Sequence, residues 1–372
     1  MKHRIIIVGP VPPPYHGVSV FTRILLESSL KEHYDIIHLN TTDKREKPNF
    51  GRMDFRNVYL GIKNLFQLLV YIIEFNPVLI YIPISQNIMG FFRDGLFIIL
   101  AGIFRKKVVI HLHGGIFDRF YRKSPLPFKW FIRFAFKFVN RAIVLCSDFL
   151  DIFYPYFSSD KVVVVSNGIE DVFKGNYINR EFIRKKDWNV LYLSTLSLDK
   201  GIMDLIESIP LVISRYKSVK FLIAGPWRRR NEKDIVCNFV KTRGLEKYVT
   251  FLGLVQKEEK YKLLRDGDIF VFPTRLFEGQ PLAVVEAFMA GLPVISTDSG
   301  CLHSMIVNGV NGLKIPFSSP EDIANAIIYL IQHPEVSRKM SRENRKKFVE
   351  TYTLEHTIHG INNVFRDVIA NC

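Results

Sequence analysis

The stretch from Glu278 to Asp298, EGQPLAVVEAFMAGLPVISTD, constrains the chain more than any other. It holds two carboxylates, Glu278 and Glu286, with seven residues between them. Glu278-Gly279-Gln280-Pro281 reads as a turn. Leu282 to Met289 reads as a helix, and Pro281 suits its start because the missing N–H would have no partner there. Ala290-Gly291 ends the helix, and Val294 to Ser296 reads as a strand. The pattern is a carboxylate, a run of amides at a helix start, and a second carboxylate about two turns on. Amides at a helix start attract anions. Carboxylates accept hydrogen bonds from hydroxyls. A ligand with phosphates in the middle and sugar hydroxyls at each end, such as a nucleotide-sugar, fits this layout.

The 372 residues suggest two domains. Ile5 to Val8 is an apolar run ending in Gly9-Pro10, as expected of a buried parallel strand and too short for a signal-peptide core. Strand-like runs recur at Ile36–Leu39, Val78–Ile82, Lys107–Leu112, Ala142–Leu145 and Val162–Val165. Helices at Val18–Leu30, Leu60–Phe75 and Phe91–Phe104 separate several of them. A second series is Val190–Leu193, helix Ile202–Arg215, Lys220–Ala224, helix Glu232–Thr242, Val249–Phe251, helix Lys257–Leu264 and Ile269–Phe272, followed by the stretch above. Leu354–Ile369 is a last helix. Such alternation implies parallel α/β sheets. The first domain runs over 1–170 and the second over 188–353. Residues 170–187, charged and weakly periodic, read as a linker.

The four cysteines lie far apart, with no Cys-x-x-Cys, so neither a disulfide framework nor a zinc site is indicated. The longest charge-free apolar window, Gly95–Phe104, falls short of a spanning helix. A soluble or peripheral chain on the cytoplasmic side is expected. The net charge of +15 is uneven: residues 101–141 hold ten Lys/Arg and one acid, Asp118. Lys129, Arg133, Lys137 and Arg141 recur every four residues among Phe128, Trp130, Phe131, Phe134, Phe136 and Phe138. If helical, this is a basic stripe on an aromatic body, suited to an anionic membrane surface through 119–141. A core helix with one solvated stripe is the plainer reading. Nucleic acid is not expected, because no recognised binding module accompanies the patch.

Together with these elements, the Glu-x7-Glu stretch resembles the signature of GT-B retaining glycosyltransferases, most closely family 4 (glycosyl transferases group 1). Ser-Thr-Leu-Ser-Leu-Asp-Lys200-Gly201 resembles that family's Gly-Arg-Leu-x-x-x-Lys-Gly loop, and Ser166-Asn-Gly-Ile-Glu170 its Asn-Gly-Val/Ile-Asp turn. The resemblance implies an α/β fold of the GT-B kind, two Rossmann-like domains with parallel sheets facing across a cleft. The acceptor domain comes first, the nucleotide-sugar domain second, and helix 354–372 packs back on the first. It implies that Glu278 holds hydroxyls of the donor sugar and Glu286 the ribose. The amides of Gly279, Gln280, Pro281 and Leu282 cradle phosphate and sugar (proline contributing only its carbonyl). Lys200 balances the leaving diphosphate, and Gly17, Thr195, Val255 and Arg275 complete the donor contacts. His113, in Val-Val-Ile-His-Leu-His-Gly-Gly, resembles the active-site histidine that meets the transferred sugar from the other domain. A packing histidine and half of a metal pair are the rival readings, and no third ligand at sensible spacing supports a metal. Asp266-Gly-Asp268 has the form of a metal-holding D-x-D, but the family places a structural Asp at Asp268. No metal or other cofactor is expected.

The reaction implied is retaining transfer of a sugar from a nucleotide-sugar to a glycan or lipid-linked acceptor, with same-face attack and domain closure, as in cell-surface polysaccharide synthesis. Departures from the pattern are Thr195 for the usual Arg, Ser194 for Gly, Cys301 for a second Gly and Ser304 for Glu. Arg275 or one of Arg228–Arg230 is a replacement for the missing cation. The departures keep open a catalytically weak, membrane-associated partner of another transferase. A nucleotide-sugar epimerase of the same fold is the other alternative.

Overall fold

The computed structural model describes residues 2–13, 17–42, 55–175, 180–182 and 185–370, without the side chains of 55–57. Pro14 to His16 of the expected first loop, 176–179 and 183–184 of the expected linker, and Cys372 lie outside the described residues. The chain divides into two compact units, 1–167 with 355–372, and 168–354.

The first unit is built on a six-stranded parallel sheet. Its strands are β1 (His3–Gly9), β2 (Tyr34–Asn40), β3 (Leu79–Pro83), β4 (Lys107–Leu112), β5 (Arg141–Val144) and β6 (Val162–Val164). Their order across the sheet is β2-β1-β3-β4-β5-β6. Ile5 to Val8, Leu79 to Ile82 and Val108 to Ile110 are buried, as continuous apolar runs must be when helices cover both faces. The helix Leu354–Ala370 packs here: Tyr34 Oη donates to Asn362 at 2.8 Å, Phe365 meets Tyr34 and Tyr81, and Thr357 Oγ1 donates to the Ser166 carbonyl.

The second unit carries β7 (Trp188–Leu193), β8 (Val219–Ala224), β9 (Val249–Gly253), β10 (Ile269–Phe272), β11 (Val294–Thr297) and β12 (Gly312–Ile315). The order is β12-β11-β10-β7-β8-β9, again all parallel. The chain moves outward from β7 to β9, then returns to β10 on the other side of β7. The winding therefore reverses between β7 and β10, the place at the strands' carboxyl ends where open α/β sheets form a ligand crevice.

The expected linker is not loose. Phe173 and Phe182 are almost wholly buried, and Phe182 stacks on Trp188. Asp171 makes a two-pronged ion pair with Arg345, at 2.6 and 2.8 Å. Arg180 is buried and donates to the carbonyls of Leu264, Arg265, Gly267 and Ala290. These are orphan carbonyls around the ends of helices Lys257–Asp266 and Leu282–Met289, which a guanidinium fork suits. Its anchors are single residues in a polar run, a pattern without period, so the sequence does not mark them.

The basic stripe is also corrected. The helix covers only Leu126–Phe136; Lys137 caps it and Arg141 begins β5. Lys129 and Arg133 alone remain on one helix. Phe136 turns inward among Phe91, Phe117, Phe153 and Phe157.

Replacing Arg180 by Met keeps the stem and strands four carbonyls. We expect a loss of about 3 kcal/mol or more in unfolding of residues 168–354. Urea denaturation followed by Trp188 fluorescence measures it; an unchanged midpoint would show that the staple contributes nothing.

Candidate active site

The loops leaving β7 and β10 place the candidate residues. After β7 the chain bends through Ser194 and the exposed Thr195 to a short 3-10 turn, Leu198–Lys200. Gly201 follows with φ +74°, and a Cβ there would lie 2.0 Å from the Pro273 carbonyl oxygen. Only glycine lets these two loops come so close. The Tyr192 hydroxyl, buried beneath, donates to the Lys200 carbonyl at 3.0 Å.

After β10 the chain passes Pro273 and Thr274 and reaches Glu278. The Glu278 carboxylate is nearly buried. Its Oε1 accepts from Lys200 Nζ and from Thr274 Oγ1, each at 2.6 Å. The loop after β11 supports this turn from behind. Thr297 Oγ1 donates to the Thr274 carbonyl and Ser299 Oγ to that of Leu276. Gly300, φ +56°, sits so near the Glu278 backbone that a Cβ would lie 1.9 Å from its carbonyl oxygen. The Glu278 position is therefore fixed by backbone packing as well as by its own bonds.

The helix Leu282–Met289 follows Pro281, as its sequence predicts. Val284 N–H already reaches the Pro281 carbonyl at 3.0 Å, so the amides of Leu282 and Ala283 precede the first intrahelical acceptor. Gln280 is buried, and Gly279 and Leu282 are half-buried. Glu286 lies one turn along and accepts from Lys260 Nζ at 2.5 Å. Burial pushes its carboxyl above the usual range, and Lys260 pulls it part of the way back. Val255, half-buried, lies just before the Gln256–Glu259 capping box of helix Lys257–Asp266.

Lys200, Thr274, Glu278 and the helix start are thus brought together. Thr274, Lys260 and Arg180 are the residues that the sequence reading missed. Lys260 meets Glu286 only in the fold, and Thr274, four residues before Glu278, lies in a loop where that spacing carries no periodic signal. Arg275 is directed elsewhere: its Nε and Nη2 grip the buried Asp204 at 3.0 and 2.5 Å. Arg228 lies alongside the Thr195–Lys200 loop, its amide donating to the Leu196 carbonyl and its Nη1 3.3 Å from Asp199. Arg229 points to Glu232, 3.9 Å away. Asp268 is tied to the Asn189 amide and to Lys185, at 2.8 and 2.7 Å, which gives it a structural task.

In the first unit, His111 and His113 project from the end of β4 onto the same side. Their ring centroids are 3.9 Å apart. Tyr81 Oη is 2.7 Å from His111 Nδ1 and 3.5 Å from His113 Nε2, and Phe21 packs against both rings. Burial drives both pKa values down, His113 to about 3. Both rings are therefore neutral near pH 7. Gly17 begins the helix Gly17–Glu27, and a Cβ there would meet nothing within 4 Å, so local packing does not demand glycine.

Residues 173–347 match the family described as Glycosyl transferases group 1. The chain is 26% identical over 285 residues to the UDP-Gal:alpha-D-GlcNAc-diphosphoundecaprenol alpha-1,3-galactosyltransferase of Escherichia coli, spanning 73% of this chain and 71% of that one. It is 27% identical over 227 residues to an uncharacterised glycosyltransferase of Methanocaldococcus jannaschii, spanning 58% of this chain and 62% of that one. Among solved structures, a glycosyltransferase from Rickettsia africae superposes with a TM-score of 0.81 at 16% identity, over 100% of both chains. Anabaena HepE in complex with UDP superposes with a TM-score of 0.71 at 17% identity, over 99% of this chain and 100% of that one. The fold is therefore that of the GT-B glycosyltransferases, two parallel six-stranded sheets in an α/β arrangement. The matches support a place for the chain in the glycosyltransferase superfamily.

The two histidines set a pH dependence. Below pH 6.5 the unfolded chain takes up their protons, while the folded one does not until about pH 3 in the case of His113. Stability should fall on acidification through that window, with a limiting slope of about 1.4 kcal/mol per pH unit for each histidine. His113→Asn should flatten the profile between pH 6.5 and 4 relative to wild type, read by urea denaturation. An unchanged slope would mean that His113 titrates normally.

Proposed function

We propose that the chain is a retaining, metal-independent glycosyltransferase of family 4. It would move a sugar from a UDP-sugar to a glycan or lipid-linked acceptor. One observation carries the reading: Lys200 and Glu278 meet at 2.6 Å beside the start of helix Leu282–Met289, in the crevice between the β7 and β10 loops. A cation and helix-start amides suit a diphosphate; a carboxylate held by Thr274 suits sugar hydroxyls. The E. coli relative's name gives UDP-Gal as donor and a diphosphoundecaprenol-linked sugar as acceptor, and the HepE structure holds UDP.

In this reading the acceptor hydroxyl oxygen bonds to the anomeric carbon as the bond from that carbon to the diphosphate oxygen breaks. Attack comes from the face that the diphosphate leaves, and the departing phosphate takes the hydroxyl proton. Lys200 and the amides of Gly279, Gln280 and Leu282 stabilise the charge growing on the diphosphate. Arg228, beside the Thr195 loop, supplies the second cation that Thr195 does not. Arg275, bound to Asp204, serves instead to fix the loop. Glu286 holds the ribose with Lys260 alongside, and Val255 lines the nucleoside end. The basic segment 119–141 would hold the protein on the cytoplasmic face of an anionic membrane, where a lipid-linked acceptor is found.

Glu278→Gln should lower kcat/KM for transfer or UDP-sugar hydrolysis by about 100-fold or more, with the melting temperature within a few degrees of wild type. Activity should persist in EDTA. Near-wild-type turnover in this variant would remove Glu278 from the site, and loss of activity in EDTA would overturn the metal-independent mechanism.

A further inference from the structure

The helix Phe55–Phe75 has two unlike faces. Asn64, Leu68 and Ile72, four residues apart, are buried against the first unit. Tyr59, Ile62, Phe66 and Ile73 fall in one narrow sector on the opposite side and are exposed, Ile62 and Phe66 by 65% and 67%. The window Val58–Phe75 has a mean hydropathy of 1.4 and is only 17% buried. A search for charge-free runs misses it, because Lys63 and Glu74 interrupt the sequence. Its length and composition would allow it to cross a membrane, but a helix with one face packed into an α/β layer lies along that layer instead.

Two neighbours extend the surface. Helix Ile88–Ile103 packs beside 55–75 and exposes Phe92 and Ile103. Helix Leu126–Phe136 packs on 88–103, with Phe131 against Phe92, and exposes Leu126, Trp130 and Phe134. Trp130 is 74% exposed, an unusual state for an indole unless one side of it meets an interface. We propose that these three adjacent helices form a docking face for an anionic bilayer, with helix 55–75 lying in the membrane plane. The inference deepens the membrane part of the proposed function and rests on it.

Charge selects the occupant. Residues 55–75, 88–107 and 117–137 hold twelve Lys/Arg and three acids. Two of those acids are already paired, Asp94 with Arg93 at 2.7 Å and Asp118 with Arg122 at 3.0 Å. Lys129 and Arg133 are held at the rim by Tyr121, through its ring and its hydroxyl. An apolar centre with cations around it matches acyl chains beneath anionic headgroups. A second copy of the same surface would bring like charges together.

Flotation of the full chain with vesicles tests this. We expect binding to phosphatidylcholine vesicles containing about one-third phosphatidylglycerol, and at least about tenfold weaker binding to phosphatidylcholine alone. Ile62→Glu/Phe66→Glu/Ile73→Glu should reduce the first binding by about tenfold or more while UDP affinity and circular dichroism stay unchanged. Undiminished flotation of the folded variant overturns the proposal. So does a wild-type dimer, in sedimentation, that the same changes dissociate. Should the triple variant not fold, Phe66→Trp replaces it. A blue-shifted difference spectrum against wild type on adding the anionic vesicles supports the proposal, and an unshifted one overturns it. Vesicle binding that persists in a protein unable to bind UDP would leave the docking face standing and remove the transferase reading instead.

Discussion

The contact between Lys200 and Glu278 depends on the strand order of the second sheet. Lys200 follows β7 and Glu278 follows β10, strands far apart in sequence yet adjacent in the sheet. The winding reverses between them, the place where open α/β sheets form a ligand crevice. A nearly buried carboxylate there needs a partner, and Lys200 and Thr274 supply it on one oxygen. In the proposed function the same pair offers charges of both signs to the donor. Gly201 and Gly300 allow the backbones to close around it at distances that a Cβ would forbid. What stabilises these loops is therefore also what the proposed chemistry uses.

Much of this was legible in the sequence where periodicity and local stop signals agree. Helices Ile202–Arg215 and Leu282–Met289 and strands β4 and β10 fall where their residues place them. Continuous apolar runs bounded by Gly and Pro leave little choice of element. Between β11 and the last helix the sequence is less legible. β12 is four residues at a sheet edge, half of them only partly buried, and helices Pro320–Gln332 and Pro334–Thr351 were not assigned. Within the site, Glu278, Lys200 and the helix start could be named because they stand in a recognisable pattern. Lys260 and Asp204 could not, since a partner joined across the fold leaves no mark on local spacing; Thr274, four residues before Glu278, stands in a loop where that spacing has no helical meaning. Arg275 shows the converse: a cation three residues from Glu278 was expected at the ligand, yet a buried Asp204 holds it.

The first unit shows how burial divides a single aromatic segment. Phe136 and Trp130 lie six residues apart on one helix, and the first is packed among five rings while the second is 74% exposed. Composition alone gives both the same character. A four-residue charge period extended the helix on paper beyond Phe136, because the period continued into β5 although the helix did not. The larger apolar exposure is on Phe55–Phe75, where two charges hid an otherwise continuous stripe.

The central claim is that the β7–β10 crevice is a nucleotide-diphosphate site built on Lys200. Isothermal titration of UDP into the full chain in EDTA tests it most directly, with Lys200→Ala as the comparison. The account predicts one UDP per chain and an affinity at least about tenfold lower in the variant, since a charge-assisted contact is worth about 1.5–3 kcal/mol. No heat with UDP, or equal affinity in the two proteins, would contradict it.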